Sequence, residues 1–278
     1  MNGADANLRG APPPVHEIPA HLRYLTKFVA IPLMSLSTAF FGCISLVCGV
    51  WDRSGRQQHL VARTWAKTFL WIARSPVEIV GGEKLGRYPV AVYASNHLSY
   101  MDTPVLFARL PFQFRILAKQ GLWKTPFVGW YLRRSGQVPI DSKSPRSAVA
   151  GLLRGVAALK AGMPLVLFPE GGRSVDGHLQ TAASGCAFMA IRAGVPLIPL
   201  ALIGTYELLP IHVYALRPRV VRIIVGDPIS TEGLTTKDAD ALTERLHDEI
   251  GKMYYRYSDF EVIAIGSSPS ESQETGQI

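Results

Sequence analysis

The chain has 278 residues, 48% of them apolar, enough for one large domain, or a domain with an appendage, around a substantial buried core. Its 29 lysines and arginines against 21 acidic residues give a formal net charge of +8, which suits an anionic partner: a phospholipid surface, a phosphorylated substrate or a nucleic acid. Cys43, Cys48 and Cys186 are odd in number and lack paired CxxC spacing, which excludes a disulfide framework and a cysteine zinc site.

A polar, proline-containing stretch from Met1 to about Ala20 precedes the first apolar run. That is the wrong order for a cleaved secretory signal, so the segment is expected to stay attached. From Phe28 to Val50 no charge interrupts FVAIPLMSLSTAFFGCISLVCGV, which as a helix is long enough to cross a hydrocarbon core of about 30 Å. Pro32 and Gly42 are expected kink points. Arg23 and Lys27 before the run are answered by Arg53 and Arg56 after it, so charge sets no orientation, and spanning or lying in one leaflet both stay open. From about Gln57 to Ala73, Arg63 and Lys67 alternate with Leu60, Trp65, Phe69 and Trp71, a basic helix with an aromatic face suited to the headgroup layer or to packing on a core.

After Pro76 come short apolar runs: VEIV near Val77, PVAVYAS from Pro89, FRILAK from Phe114, QVPI near Gln137, PLVLF from Pro164, PLIPLALI from Pro196 and VVRIIV from Val220. They read as buried strands. SPRSAVAGLLRGVAALKAG reads as a helix, with Ser144 as N-cap, Pro145 at its first position and Gly162 as its stop. A last helix is expected from about Thr236 to Tyr255, and a serine-rich, disordered tail beyond Ile265. The pattern predicts an α/β fold, a mostly parallel or mixed sheet flanked by helices, behind an N-terminal membrane-associating helical segment. The expected division is 1–75 for the leader and membrane-associating helices, 76–262 for the catalytic domain and 263–278 for the tail.

Two constellations carry chemistry. Asn96-His97-Leu98-Ser99-Tyr100-Met101-Asp102 follows a predicted strand directly, at the kind of strand-to-helix junction where sites in open α/β sheets lie. An imidazole can take a proton from a hydroxyl near neutral pH, and a carboxylate on its other nitrogen fixes the tautomer. The plainer alternative is a loop histidine with Asp102 as a helix cap. Phe168-Pro169-Glu170-Gly171-Gly172-Arg173-Ser174 follows another strand. Its glycines permit a sharp turn with exposed N–H groups, and Arg173 can fork onto a phosphate. Here the plainer alternative is a tight turn closed by a Glu170–Arg173 ion pair.

NHLSYMD and FPEGGRS, in this order and spacing, resemble two signature blocks of the glycerolipid acyltransferase family that includes the 1-acylglycerol-3-phosphate acyltransferases. Lys119 before Pro126 and Gly129 resembles that family's lysine before a Pro-x-x-Gly element, Gly136 to Asp141 its second block, and Val195 to Leu202 its fourth. The resemblance covers roughly residues 77–202. It implies that His97 is a general base oriented by Asp102, and that Lys119, Glu170, Gly171, Gly172 and Arg173 bind a phosphate-bearing acceptor. It further implies transfer from acyl-CoA or acyl carrier protein to 1-acyl-sn-glycerol 3-phosphate, giving phosphatidate for phospholipid biosynthesis. Neither cofactor nor metal is implied, and the setting is a membrane with the catalytic domain on its cytoplasmic face. Two departures stand out: Ser142 and Lys143 follow Asp141 where the family has arginine, and Gly172 stands where it has threonine. Lys143, Arg146, Arg133 and Arg134 are the substitutes at hand, with a looser geometry in the case of lysine.

The alternatives are acylation of another lyso-lipid, such as a lyso-ornithine lipid or lysophospholipid, and a non-catalytic membrane lipid-binding protein. Ser174 and Ser184 lack a nucleophile elbow, and no nucleic-acid module accompanies the charge. Trp123 and Trp130 are candidates for lining an acyl tunnel. Glu207 and Asp227 read as surface and turn groups, and His178, His212 and His247 lack metal spacing.

Overall fold

The structure is a computed structural model and describes residues 8–10, 19–141, 144–213, 215–258 and 262–264. In chain order its elements are β1 (Leu8–Gly10), α1 (Ala20–Leu25), a π-helical turn (Thr26–Ala30), α2 (Ile31–Cys48), α3 (Arg56–Ile72), β2 (Val77–Val80), β3 (Val92–Ser95) and α4 (Asp102–Arg109). There follow β4 (Arg115–Lys119), α5 (Val128–Arg134), β5 (Val138–Ile140), α6 (Pro145–Lys160), β6 (Leu165–Leu167) and α7 (Gly185–Ala193). The last are β7 (Leu197–Ile203), α8 (Thr205–Leu208), β8 (Val221–Val225), α9 (Ala239–Tyr257) and β9 (Val262–Ala264).

All seven apolar runs expected to be strands join one seven-stranded sheet in the order β2-β8-β7-β3-β6-β4-β5. Its pairings are parallel except β7 with β8, so the sheet is mixed. Side chains alternate faces along a strand. Tyr93, Val166 and Ile198 therefore pack on one side with α3 and α4, while Val92, Ala94, Leu165 and Leu167 pack on the other with α6, α7 and α9. Burial of both faces is why these strands read as continuous apolar runs. α6 starts and stops where expected: the Ser144 hydroxyl accepts from Ser147 N–H at 3.4 Å, and Gly162 takes φ +84° after the last turn.

β1 and β9 form a separate antiparallel pair. Ile263 and Ala264, which the sequence assigns to the tail, are thus strand residues, and the rest of the expected tail lies outside the described residues.

The N-terminal helix runs from Ala20 to Cys48, long and apolar enough to cross a membrane, with a mean hydropathy of 1.9 over an 18-residue stretch of it. It continues past both expected kink points. Pro32 sits in the first turn of α2, just after the π-helical turn, and Gly42 is a contact point: a Cβ there would lie 2.6 Å from Cβ of Phe127. Phe28, Leu36 and Phe40 remain largely exposed, as do Leu60 and Trp71 of α3. α3 serves both uses foreseen for it, burying His59, Ala62, Ala66 and Leu70 while presenting Trp71 outward.

His59 gives this docking a pH dependence. Its Nε2–H donates to Phe112 carbonyl at 3.1 Å, since a carbonyl only accepts, and its ring packs edge-on to Phe114. Burial, helped by nearby Arg63, pushes the imidazole down to about 4. Between about pH 4 and 6.5 the unfolded chain therefore binds a proton that the native state refuses, so stability rises with pH across that window and is lost as pH falls through it. The loss on acidification should reach roughly 3 kcal/mol. Thermal melts of wild type and His59→Gln between pH 4 and 7 test this: the variant should show a flatter slope, and equal slopes would reject the assignment.

Candidate active site

β3, β6 and β4 are adjacent parallel strands, so the segments leaving their carboxyl ends emerge along one edge of the sheet. That edge receives His97 after β3, the Pro169–Arg173 segment after β6, and Lys119 at the end of β4. Strand order alone thus gathers residues that are distant in sequence.

Asn96 anchors the first segment. Its amide donates to Leu202 carbonyl at 2.9 Å and accepts from Leu202 N–H at 2.7 Å, pinning the end of β3 to β7. The Ser99 hydroxyl donates to Leu209 carbonyl at 2.7 Å and accepts from Met101 N–H, turning the chain into α4. That turn brings Asp102 Oδ2 to 2.8 Å from His97 Nδ1, and the same oxygen accepts from Leu98 and Ser99 N–H at 2.7 and 2.8 Å. Asp102 is thus not the helix cap considered from sequence: it is the first residue of α4, and its Oδ2 holds two loop N–H groups that precede the helix together with the histidine. Asp102 is fully buried, and its Oδ1 has no partner among the described residues.

The His97 ring stacks on Phe168, with centroids 3.9 Å apart and planes 12° apart. Asp102 and Phe168 together fix the imidazole's position and plane. With Nδ1–H donating to the carboxylate, Nε2 keeps its lone pair, and no described residue bonds to it.

Glu170 comes to the site but faces inward. Its Oε1 accepts from His97 N–H at 3.1 Å and its Oε2 from Gln180 N–H at 3.2 Å, so the carboxyl group braces two loops. Among the described residues Glu170 makes these main-chain bonds and not the ion pair with Arg173 considered from sequence. Burial pushes the carboxyl up to about 8 against the pull of those donors, and the charge of Asp102 adds to the rise.

Gly171 takes φ +65°, a backbone that favours glycine, whereas Gly172 needs no such allowance. The Arg173 guanidinium lies 4.2 Å from the Tyr100 ring centre, and its main-chain carbonyl accepts from the Gln180 amide at 3.2 Å. Lys119 is exposed at the end of β4.

His97, Lys119, Gly171, Gly172 and Arg173 all border a cavity of about 790 Å³. Its walls are mostly apolar, including Phe41, Trp65, Phe107, Tyr131 and Met189. Trp123 and Trp130 do not line it; Leu122 and Phe127 do, because Trp130 turns outward from α5. Phe127 lies at φ +60°, ψ −57°, an unusual backbone for a bulky residue, and meets α2 at Gly42.

Arg133, Arg134 and Arg146 do not border the cavity, and Arg133 instead donates to Trp123 carbonyl at 2.9 Å; Lys143 lies outside the described residues. Glu207, read from sequence as a surface group, is buried at 7% exposure and lies 3.7 Å from Arg219. Asp227 pairs with Lys84 at 2.7 Å. Among the described residues no group of three or more His, Cys, Asp or Glu side chains is placed to hold a metal ion. Asn96 and Phe168 are the contributors that sequence reasoning passed over. Both stand inside the quoted blocks, and an uncharged polar residue ending an apolar strand beside a histidine was the available signal for Asn96.

The family model described as Acyltransferase matches residues 76–203. The chain is 35% identical over 173 residues to the 1-acyl-sn-glycerol-3-phosphate acyltransferase LPAT1, chloroplastic, of Arabidopsis thaliana, covering 62% of this chain and 48% of that protein. It is 28% identical over 233 residues to the 1-acyl-sn-glycerol-3-phosphate acyltransferase of Saccharomyces cerevisiae, covering 82% and 76%. The chain spans only about half the length of the Arabidopsis relative and 63% of its Brassica napus counterpart. Among solved structures, the 1-acyl-sn-glycerophosphate (LPA) acyltransferase PlsC from Thermotoga maritima is similar with a TM-score of 0.65 and 25% identity, over 83% of this chain and 95% of that one. The seven-stranded sheet, the His97–Asp102 junction at its edge and these matches agree that residues 76–203 form a domain that matches the acyltransferase family model.

Proposed function

We propose that this protein transfers a fatty acyl group from an acyl thioester, acyl-CoA or acyl carrier protein, to the free hydroxyl of 1-acyl-sn-glycerol 3-phosphate, giving phosphatidate for phospholipid biosynthesis. The observation that carries the reading is a histidine locked by Asp102 and Phe168, with its second nitrogen unbonded, on the wall of a large apolar cavity beside Arg173 and Lys119. Nε2 takes the proton of the acceptor hydroxyl as that oxygen attacks the thioester carbonyl. Asp102 stabilises the resulting imidazolium, which returns the proton to the departing thiolate. Chain and base require no covalent enzyme intermediate, metal or cofactor. Holding both substrates in place adds to the effect by making the encounter oriented.

Arg173 and Lys119 offer the positive charge for the acceptor's phosphate, and the apolar cavity suits an acyl chain. The exposed apolar faces of α2 and α3 suit a phospholipid surface, with the catalytic domain on the cytoplasmic side where acyl thioesters are available. Because Ser142 and Lys143 replace the family's arginine, another lyso-lipid acceptor is the second reading.

Transfer of labelled acyl groups from acyl-CoA and acyl carrier protein to lysophosphatidate, glycerol 3-phosphate, lysophosphatidylcholine and a lyso-ornithine lipid tests the proposal. Product with lysophosphatidate supports it, product only with a different acceptor moves the substrate, and no transfer with any pair leaves a lipid-binding protein. In the same assay Arg173→Ala should raise the KM for lysophosphatidate about 10- to 100-fold, the worth of lost charge-assisted hydrogen bonds. An unchanged acceptor profile would reject the phosphate role.

A further inference from the structure

The family match ends at residue 203, yet the segment carrying Arg173 is held from behind by side chains beyond that limit. The limb from Ser174 to Gln180 makes its own tight turn: the Ser174 hydroxyl donates to Asp176 at 2.9 Å and accepts from Gly177 N–H, while His178 N–H donates to the same Asp176 oxygen. Three side chains then grip its main-chain carbonyls. Tyr206 of α8 donates to Val175 carbonyl at 3.1 Å, Tyr254 of α9 to Gly177 carbonyl at 2.8 Å, and His247 Nε2 of α9 to Gln180 carbonyl at 3.0 Å. His247 and Tyr254 are seven residues apart and so share one helix face. Gly251 lies between them on that face, where the position of its missing Cβ is 3.7 Å from Leu179.

Gln180 is the relay. Its carbonyl is held by His247, its N–H reaches Glu170, and its side-chain amide reaches the carbonyl of Arg173. From α9 to the arginine the path is two hydrogen bonds through one residue. Tyr254 is 1% exposed, so its hydroxyl grips the limb in a dry setting where a main-chain carbonyl left unpaired is costly.

We propose that α9 sets the affinity for the phosphate-bearing acceptor, with His247 and Tyr254 as positioning residues that hold the 174–180 limb and, through Gln180, aim Arg173. The proposal rests on the reading of Arg173 given above. It places acceptor recognition partly in residues 239–257, outside the family-matched region.

Tyr254→Phe keeps the ring and removes the hydroxyl; His247→Leu removes the donor, and His247→Gln restores an amide donor. The measurements are KM and kcat with lysophosphatidate and acyl-CoA, together with equilibrium binding of 1-oleoyl lysophosphatidate, which reads acceptor affinity without turnover. Each lost hydrogen bond should weaken acceptor affinity about fivefold, with the donor KM unmoved and His247→Gln recovering most of the loss. In an Arg173→Ala background the same substitutions should add little, because the arginine they aim is gone.

Equal losses for donor and acceptor, no rescue by His247→Gln, or full additivity with Arg173→Ala would each overturn the proposal in favour of a purely structural helix. If wild type binds lysophosphatidate but transfers no acyl group, the enzymatic reading fails while the binding arm still decides the role of α9. A thermal melt identifies any variant that fails to fold, and the remaining two then carry the test.

Discussion

His97→Ala should reduce turnover by about 10²–10⁴-fold, the usual contribution of a positioned general base, while leaving the fold and membrane association intact. The imidazole makes one side-chain hydrogen bond, to Asp102, and stacks on Phe168; the loop around it is held by other groups. Asn96 pins the strand end, Ser99 ties the turn to Leu209, and Asp102 keeps its bonds to Leu98 and Ser99 N–H without the ring. Single-turnover acyl transfer, a thermal melt and vesicle flotation together check this. Wild-type turnover by a folded variant would remove His97 from the mechanism.

Asp102→Asn separates charge from geometry at the same centre. Oδ2 makes all three of the carboxylate's bonds, so an asparagine that places its carbonyl oxygen there keeps them and puts its NH₂ where the unpartnered Oδ1 now lies. Tautomer and loop conformation then survive, but the negative charge facing the imidazolium is lost. Turnover should fall by about 10²-fold or more, with KM for both substrates within a small factor, because the missing interaction develops only with the transferred proton. A Tm within a few degrees of wild type is the control: the buried amide loses hydration without gaining a partner, which costs roughly 1–3 kcal/mol. Near-normal turnover would mean that Asp102 serves the loop and not the histidine.

Local pattern carried the elements. Seven apolar runs became seven strands of one sheet, and Ser144, Pro145 and Gly162 bounded α6, because capping and periodicity are properties of neighbouring residues. The His97–Asp102 contact was legible for the same reason: five residues of loop turning into a helix is a local geometry. Its failures were non-local. The bond from His97 N–H to Glu170, 73 residues away in sequence, could not be read before β3 and β6 became neighbours. Trp130 looked like a cavity wall until α5 rolled it outward, and Glu207 looked exposed until it was buried against Arg219.

The amino-acid sequence by itself determined the α/β class, the apolar N-terminal helix, the two motif-bearing segments and the histidine–carboxylate pair, since each depends on periodicity, apolar length or short spacing. Only the tertiary structure decided which groups face a ligand and which face each other. Sheet order β2-β8-β7-β3-β6-β4-β5 brings Asn96 to Leu202, His97 to Glu170 and Phe168, and α9 to the Arg173 segment. Those hydrogen bonds and stacks form between residues that only chain crossovers make neighbours, and a donor or carboxylate in a linear sequence carries no mark of the partner that burial will assign to it.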